Sequence, residues 1–326
     1  MTDPSRVFVT GALGFIGRAI SERYRAQGAQ VVGMDIRPDP GLGVVAGDVS
    51  QPGDWQRHSE GCALVVHTAA IVSMRNEPER VWRANALGTR HAVDAAVRGG
   101  ARRFLHLSSV TVFSFEFPDG VTERHPVRPN GVPYVDAKVA AEQVVLAAHA
   151  AGELPCTVIR PGDVYGPGSR PWTILPVEEI GRRRFLLPAM GRGIFSPAYI
   201  DNVVDGIALA AASEDAAGEV FNLSDGRGVT TGEFFGHYGR MLDRRVPVAP
   251  TRVARALAGG VSAAARAGGS QTEINAWGVA YLARTGTYSI AKARSVLGYE
   301  PAVDLDEGMR RTEAWLRESG RLPGGG

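Results

Sequence analysis

The chain has 326 residues, 44% hydrophobic and 21% charged, with a net charge of +2; this is the make-up of a globular protein with a full core, and that charge is too small to suggest nucleic acid or a charged membrane as a partner. No apolar stretch reaches the roughly 20 residues that span a bilayer, and residues 1–5 are polar, unlike a leader. Cys62 and Cys156 sit beside apolar runs and read as buried small hydrophobes in a reducing compartment, and the seven scattered His form no metal motif; the expected location is the cytoplasm.

Arg6-Val7-Phe8-Val9-Thr10 reads as a short apolar strand, followed by Gly11, Gly14 and Gly17 at G-x-x-G-x-x-G spacing and then by a helical period through Ala19, Ile20 and Tyr24. A strand that feeds a helix through a glycine turn leaves helix amides facing outward at the positive end of the dipole, where a diphosphate sits. Residues 29–35 form a second strand that ends in Asp35, 18 residues past Gly17. An acid there accepts from an adenosine ribose and repels a 2′-phosphate, which favours NAD over NADP, although the Arg37 guanidinium two positions on could pair with that phosphate.

Residues 43–47 predict a short third strand followed by Asp48 and Val49, with the acid accepting from an adenine amino group and the valine packing on the ring. The fourth strand, Leu64-Val65-Val66-His67, ends in the small residues Thr68, Ala69 and Ala70; His67 reads as a packed strand-end histidine. A long helical pattern covers residues 78–99, interrupted by Asn85, Gly88 and Thr89. A fifth strand, residues 103–107, ends in the hydroxyls Ser108 and Ser109, at the sheet edge where open α/β folds bind ligands. The helix from Tyr134 to about residue 151 places Tyr134 and Lys138 four apart on one face.

The sixth strand, residues 155–160, closes in Arg-Pro-Gly-Asp-Val-Tyr-Gly-Pro-Gly, and a helix with a basic turn follows over residues 172–188. Residues 195–201 read as a strand returning to the sheet, 205–212 as a helix, 218–223 as another strand and 231–241 as a helix. The Ala- and Gly-rich segment 253–267 reads as a weakly amphipathic substrate lid, partner surface or shallow membrane contact, with the lid preferred. A final helix covers residues 305–318, and the tail 323–326 is expected to be loose.

Taken together, TGALGFIG, Asp35, Asp48-Val49, HTAA, NALGT (residues 85–89), SSVTVF, YVDAK and RPGDVYGPG resemble, in order and over essentially the whole chain, an extended short-chain dehydrogenase/reductase of the NAD-dependent epimerase/dehydratase family. Nucleotide-sugar members carry an arginine that grips the diphosphate where Phe195 and Ser196 stand, and an asparagine where Asp163 stands. Those departures, with TYSIAKA at residues 287–293 and LGYEP at 297–301, make the chain more similar to the 3β-hydroxysteroid dehydrogenase-like branch, whose substrates tend to be larger and apolar.

The resemblance implies a Rossmann doubly wound parallel sheet over residues 1–162, with 196–226 returning to it. A smaller C-terminal substrate-binding region would then comprise residues 163–195 and 227–326. It implies NAD held by Gly11, Leu13, Gly14, Phe15, Ile16, Gly17, Asp35, Ile36, Arg37, Asp48, Val49, Thr68, Ala69, Ala70, Asn85, Leu107, Ser108, Tyr134, Lys138, Pro161, Gly162 and Val164. The reaction it implies is interconversion of a secondary alcohol and a ketone by Ser109, Tyr134 and Lys138, with Lys138 lowering the pKa of the Tyr134 phenol. An apolar small-molecule substrate would lie against Ser109, Val110, Phe113, Tyr134, Asp163, Trp172 and Phe195. The alternative is a nucleotide-sugar epimerase or dehydratase that retains NAD. The family also implies a homodimer through the helices at 78–99 and 134–151.

Overall fold

Short apolar strands alternate with helices from the first residues of the structure, a computed structural model that describes residues 4–322. The tail 323–326 lies outside the described residues. Strand β1 (Arg6–Thr10) turns into α1 (Phe15–Ala26); β2 (Gln30–Asp35), β3 (Val44–Ala46) and β4 (Leu64–His67) follow. The helical pattern of residues 78–99 is α2 (Pro78–Trp82) and α3 (Gly88–Arg98), joined through a π-helical turn, Arg83–Leu87, that carries Asn85. Then come β5 (Arg103–Leu107), α4 (Pro133–Ala150) and β6 (Cys156–Pro161).

These strands and β10 (Val220–Leu223) form a seven-stranded sheet in the order β10-β6-β5-β4-β1-β2-β3, every pair parallel. Alternate residues serve opposite faces. Val7, Val9, Leu105 and Ile159 enter one core, while Phe8, Val65, Phe104 and Val158 enter the other beneath α3 and α4. A parallel sheet covered on both faces needs such strands, apolar on both sides. On α3, Ala92, Ala95 and Ala96 keep the helix close to the sheet. The strand order reverses between β1 and β4, which opens a crevice at their C-terminal ends.

The stretch 195–201 departs from expectation. Instead of rejoining the large sheet, it splits at Ser196 into β8 (Ile194–Phe195), antiparallel to β11 (Val229–Thr230), and β9 (Pro197–Tyr199), parallel to β7 (Asp163–Tyr165). The Ser196 carbonyl accepts from Asp163 N (2.8 Å), so each half pairs with a different short neighbour. The chain then enters a longer helix than expected, Ile200–Ala212, here α6 if α5 is Leu175–Gly181. The remaining helices are α7 (Thr231–Met241), α8 (Thr251–Ala267), α9 (Ala276–Leu282), α10 (Ala291–Leu297) and α11 (Leu305–Glu318). Cys62 and Cys156 are buried free thiols. Among the described residues no helix is long and apolar enough to cross a membrane.

Candidate functional site

The crevice begins at the glycine turn. Gly11 has φ +69°, and a β-carbon there would stand 2.8 Å from the Ala69 backbone; one on Gly17 would stand 2.2 Å from the Gly11 carbonyl. Both positions exclude a side chain, so the turn stays tight and bare. Gly14 caps α1 without a capping side chain, and Phe15 and Ile16 open the first turn, which carries no acid of its own. A dinucleotide's diphosphate fits this cradle, because amides at the positive helix end face it with no side chain between.

Asp35 closes one side. Its carboxylate accepts from Leu13 N (3.0 Å) and Ile36 N (2.8 Å), which ties the turn to the end of β2 and leaves lone pairs for ribose hydroxyls. Ile36 and Arg37 are exposed beside it. Thr68 Oγ1 donates to the Thr10 carbonyl (2.7 Å), holding Thr68, Ala69 and Ala70 half-buried along the crevice. Asn85 accepts from Ile71 N (2.8 Å) and donates to Ile71 O (2.9 Å), which pins that loop from the π-helical turn. Asp48 Oδ1 accepts from Ser50 N (2.8 Å). Val49 differs from expectation: it is buried against Gly88 in the core beneath α3 and does not lie open at the sheet edge for an adenine.

After β5, Ser109 and Tyr134 come together: Ser109 Oγ accepts from Thr111 N (3.2 Å) and lies close enough to Tyr134 to act on its phenol. Pro133 starts α4 and so places Tyr134 in the first turn, with Lys138 one turn further in. Lys138 Nζ donates to the Leu107 carbonyl at 2.5 Å. Burial pushes the Tyr134 phenol up to about 12, against a smaller lowering by Ser109. Burial takes Lys138 down to about 8, against a raising by Glu142. The expected depression of the Tyr134 pKa by Lys138 is absent here: with the ammonium held on a carbonyl, desolvation of the phenolate dominates.

Ser108, expected at the cofactor, turns the other way. It donates to Glu142 Oε1 (2.5 Å), and Glu142 holds Arg160 through two bonds of 2.8 and 2.6 Å in full burial. Glu142 follows Tyr134 and Lys138 on the same helix face, which is the signal that could have exposed this network. His67 bonds Thr10 (2.7 Å) and Thr89 (3.1 Å) and is held neutral, its pKa lowered by burial to about 3. Pro161 ends β6, and Gly162 follows where a β-carbon would meet the Ser196 carbonyl at 2.6 Å. Val164 is buried in the core, and its carbonyl accepts from Ser169 Oγ.

The substrate side is apolar. Phe115, packed on the cluster of Val132, Tyr134 and Val135, meets Tyr281 edge-on at 5.6 Å. Tyr281 stacks on Trp172 (5.6 Å), which stands edge-on to Phe195 (5.0 Å). Phe195 is thus a support behind Trp172, with no exposed surface of its own. Val110 and Phe113 are likewise enclosed in a separate cluster with Val112 and Tyr288, and the Arg160 guanidinium lies over the Phe113 ring.

Asp163 also points inward. It accepts from Tyr281 OH, from Arg284 and from Ser196 N (2.9 Å), and neither Asp163 nor Arg284 has an exposed side chain. These four expected substrate contacts face inward: Val110, Phe113 and Asp163 lie beneath Tyr288, Tyr281 and Arg284 of the C-terminal segment, and Phe195 lies behind Trp172. Tyr281 and Arg284 escaped notice because nothing in their neighbourhood in the chain marks them; they lie more than a hundred residues from their partner.

A strap covers the Tyr134 end. Glu273 accepts from Ser73 Oγ (2.7 Å) and Met74 N (2.8 Å), Gln271 pairs with the Asn76 backbone (2.7 and 3.0 Å), and Asn275 donates to Met74 O (2.8 Å). These bonds lay Met74 and Trp277 against the Tyr134 cluster.

A model of the NAD dependent epimerase/dehydratase family matches residues 7–224. A ketoreductase of Stigmatella aurantiaca, named for a 4-hydroxy-2-methyl-3-oxo-4-farnesyl-3,4-dihydroquinoline-1-oxide, is 30% identical over 93% of this chain and 94% of its own. A 3-beta-hydroxysteroid dehydrogenase of Mycolicibacterium neoaurum is 28% identical over 94% of this chain and 90% of its own. Among solved structures, MoeE5 in complex with UDP-glucuronic acid and NAD is 27% identical, with a TM-score of 0.77, over 96% of this chain and 99% of that one.

Proposed function

Because the chain belongs to the NAD-dependent epimerase/dehydratase family, we propose that it is an oxidoreductase that interconverts a secondary alcohol and a ketone on an apolar, steroid-like substrate. The family uses NAD, which supplies a hydride acceptor or donor when bound. Gly11, Gly14, Gly17 and the start of α1 would hold its diphosphate, Asp35 its adenosine ribose, and Lys138 its second ribose. Tyr134 exchanges the proton of the substrate oxygen, as base in oxidation and acid in reduction, while Ser109 holds that oxygen in place. Trp172, Tyr281, Phe115, Met74 and Trp277 keep water from the reacting carbon. The dimer implied by the family would use the helices α2 to α4, and the exposed Trp82 and Leu87 support that reading.

One observation carries the choice of substrate: the buried pair of Asp163 and Arg284. A nucleotide-sugar diphosphate needs a free cation. Here the arginine beside the aromatic wall is neutralised from within by Asp163 and has no exposed side chain. The farnesylated substrate in the ketoreductase's name supports the same choice. A second reading, a nucleotide-sugar epimerase that retains NAD, is favoured by the likeness to MoeE5.

Purified protein given NAD and a panel of apolar secondary alcohols is expected to release NADH into solution. Tyr134→Phe is expected to abolish this and to leave NAD affinity within about threefold, since the phenol acts on substrate. Turnover of UDP-glucose with NAD retained on the protein, and no NADH from any alcohol, would overturn the proposal.

A further inference from the structure

Two segments far apart in the chain meet outside the site. Leu187 N donates to the Pro247 carbonyl (2.9 Å) and Met190 N to the Ala249 carbonyl (2.9 Å), which joins the end of the 180–194 segment to the lead-in of α8. Residues 180–194 and 244–272 contain no Asp or Glu. They contain Arg183, Arg184, Arg192, Arg244, Arg245, Arg252, Arg255 and Arg266, all exposed, besides Arg182, which is ion-paired with Glu179 (3.1 Å). In a chain of net charge +2, this is a local concentration of positive charge.

The same surface is apolar where it should not be. Only Ala254 and Ala258 of α8 are buried. Val253, Leu257 and Val261, four apart, form an outward stripe with exposures of 48%, 56% and 44%, and Met190 and Val248 are exposed near its start. Arg252, Arg255 and Arg266 occupy a different face of the helix.

From this charge pattern we infer that α8 and its lead-in form a peripheral docking surface for a membrane leaflet that contains anionic lipid. The valine–leucine stripe enters the headgroup boundary, and arginine stems reach round to phosphate. Such docking would set the strap at residues 271–277, which directly follows α8, at the lipid surface where an apolar substrate is dissolved. The surface gains its use from the apolar-substrate reading, but its test needs no turnover.

The full chain is to be sedimented with vesicles of phosphatidylcholine alone and of phosphatidylcholine mixed with phosphatidylglycerol. Binding to the mixed vesicles is expected, weakening as salt is raised. Leu257→Glu with Val261→Glu is expected to lower the bound fraction at least about tenfold, with thermal melting and NAD affinity unchanged because both positions are exposed. Absence of binding to mixed vesicles, or undiminished binding by the double variant, overturns the inference. So does a chain that binds no vesicle but whose dimer the double variant splits, which makes the stripe a contact between copies. The NADH assay above is indifferent to all three outcomes, so the two readings fail separately.

Discussion

Arg284 reaches across from the C-terminal segment to ion-pair with Asp163 directly after β6, and neither side chain has any exposure. Tyr281, one turn before Arg284, bonds the same carboxylate and lies under the guanidinium, 3.8 Å from ring centre to Cζ. The pair therefore fastens the aromatic wall to the sheet.

Removing one member of such a pair leaves the other charge buried and unpaired, so Asp163→Ala is expected to cost about 3–5 kcal/mol. Asp163→Leu combined with Arg284→Met is expected to recover the part of that loss that comes from the unpaired charge, while Tyr281 OH and Ser196 N stay without their acceptor. Urea denaturation of the two variants is the measurement; equal destabilisation by both would show that the pair matters for more than its charges.

Burial sets opposite pH dependences for the two central groups. Tyr134, raised from 10.0 to about 12, gives stability that is complete below pH 10 and lost as pH rises toward 12. Lys138, lowered from 10.5 to about 8, gives stability that is present above pH 10.5 and lost as pH falls through about 8. Tyr134→Phe should flatten the alkaline loss, and Lys138→Met the loss between pH 10.5 and 8, both read from denaturation midpoints across pH. Phenolate absorbance that vanishes with Tyr134→Phe should appear only near pH 12 without cofactor and at lower pH with oxidised NAD, because a neighbouring cation favours the phenolate. Absorbance already present near pH 8 in the free protein would contradict the dominance of burial.

Asp35 accepts from Leu13 N in the glycine turn and from Ile36 N beside it, and the proposed NAD site puts it at the adenosine ribose. Asp35→Ser is expected to weaken NAD about 10- to 100-fold, the scale of hydrogen bonds to a charged group. With Arg37 exposed beside it, NADP should lose much less. Calorimetric titration with both dinucleotides checks this, and an unchanged ratio of affinities would remove Asp35 as the discriminating residue.

The strands, the glycine turn and the helix bearing Tyr134 were legible in the sequence because each is a local pattern: apolar runs bounded by glycine, or a four-residue spacing after a proline. The layering of the substrate side was not. Phe113, Phe195 and Asp163 were expected against the substrate, but which of them faces a ligand depends on what packs over them. Those covers, Tyr281, Arg284 and Tyr288, come from a segment whose composition gives no period. The split of residues 195–201 was hidden for a similar reason: two short strands with different partners have the same alternation as one longer strand. Ser108 and Ser109 are neighbours of identical type, and only the buried Glu142–Arg160 pair decides which of them turns away.

The strap is lopsided in how it is written into the chain. On one side it needs the side chains of Gln271, Glu273 and Asn275; on the other it uses mainly the main-chain groups of Met74 and Asn76. Mutations at 74 and 76 can therefore accumulate without undoing the clasp, whereas 271, 273 and 275 are bound to their residue types. Over many generations the inner lining at position 74 is free to be re-cut for a new ligand while the fastening stays the same, which makes that short loop the natural place for this scaffold to change its diet.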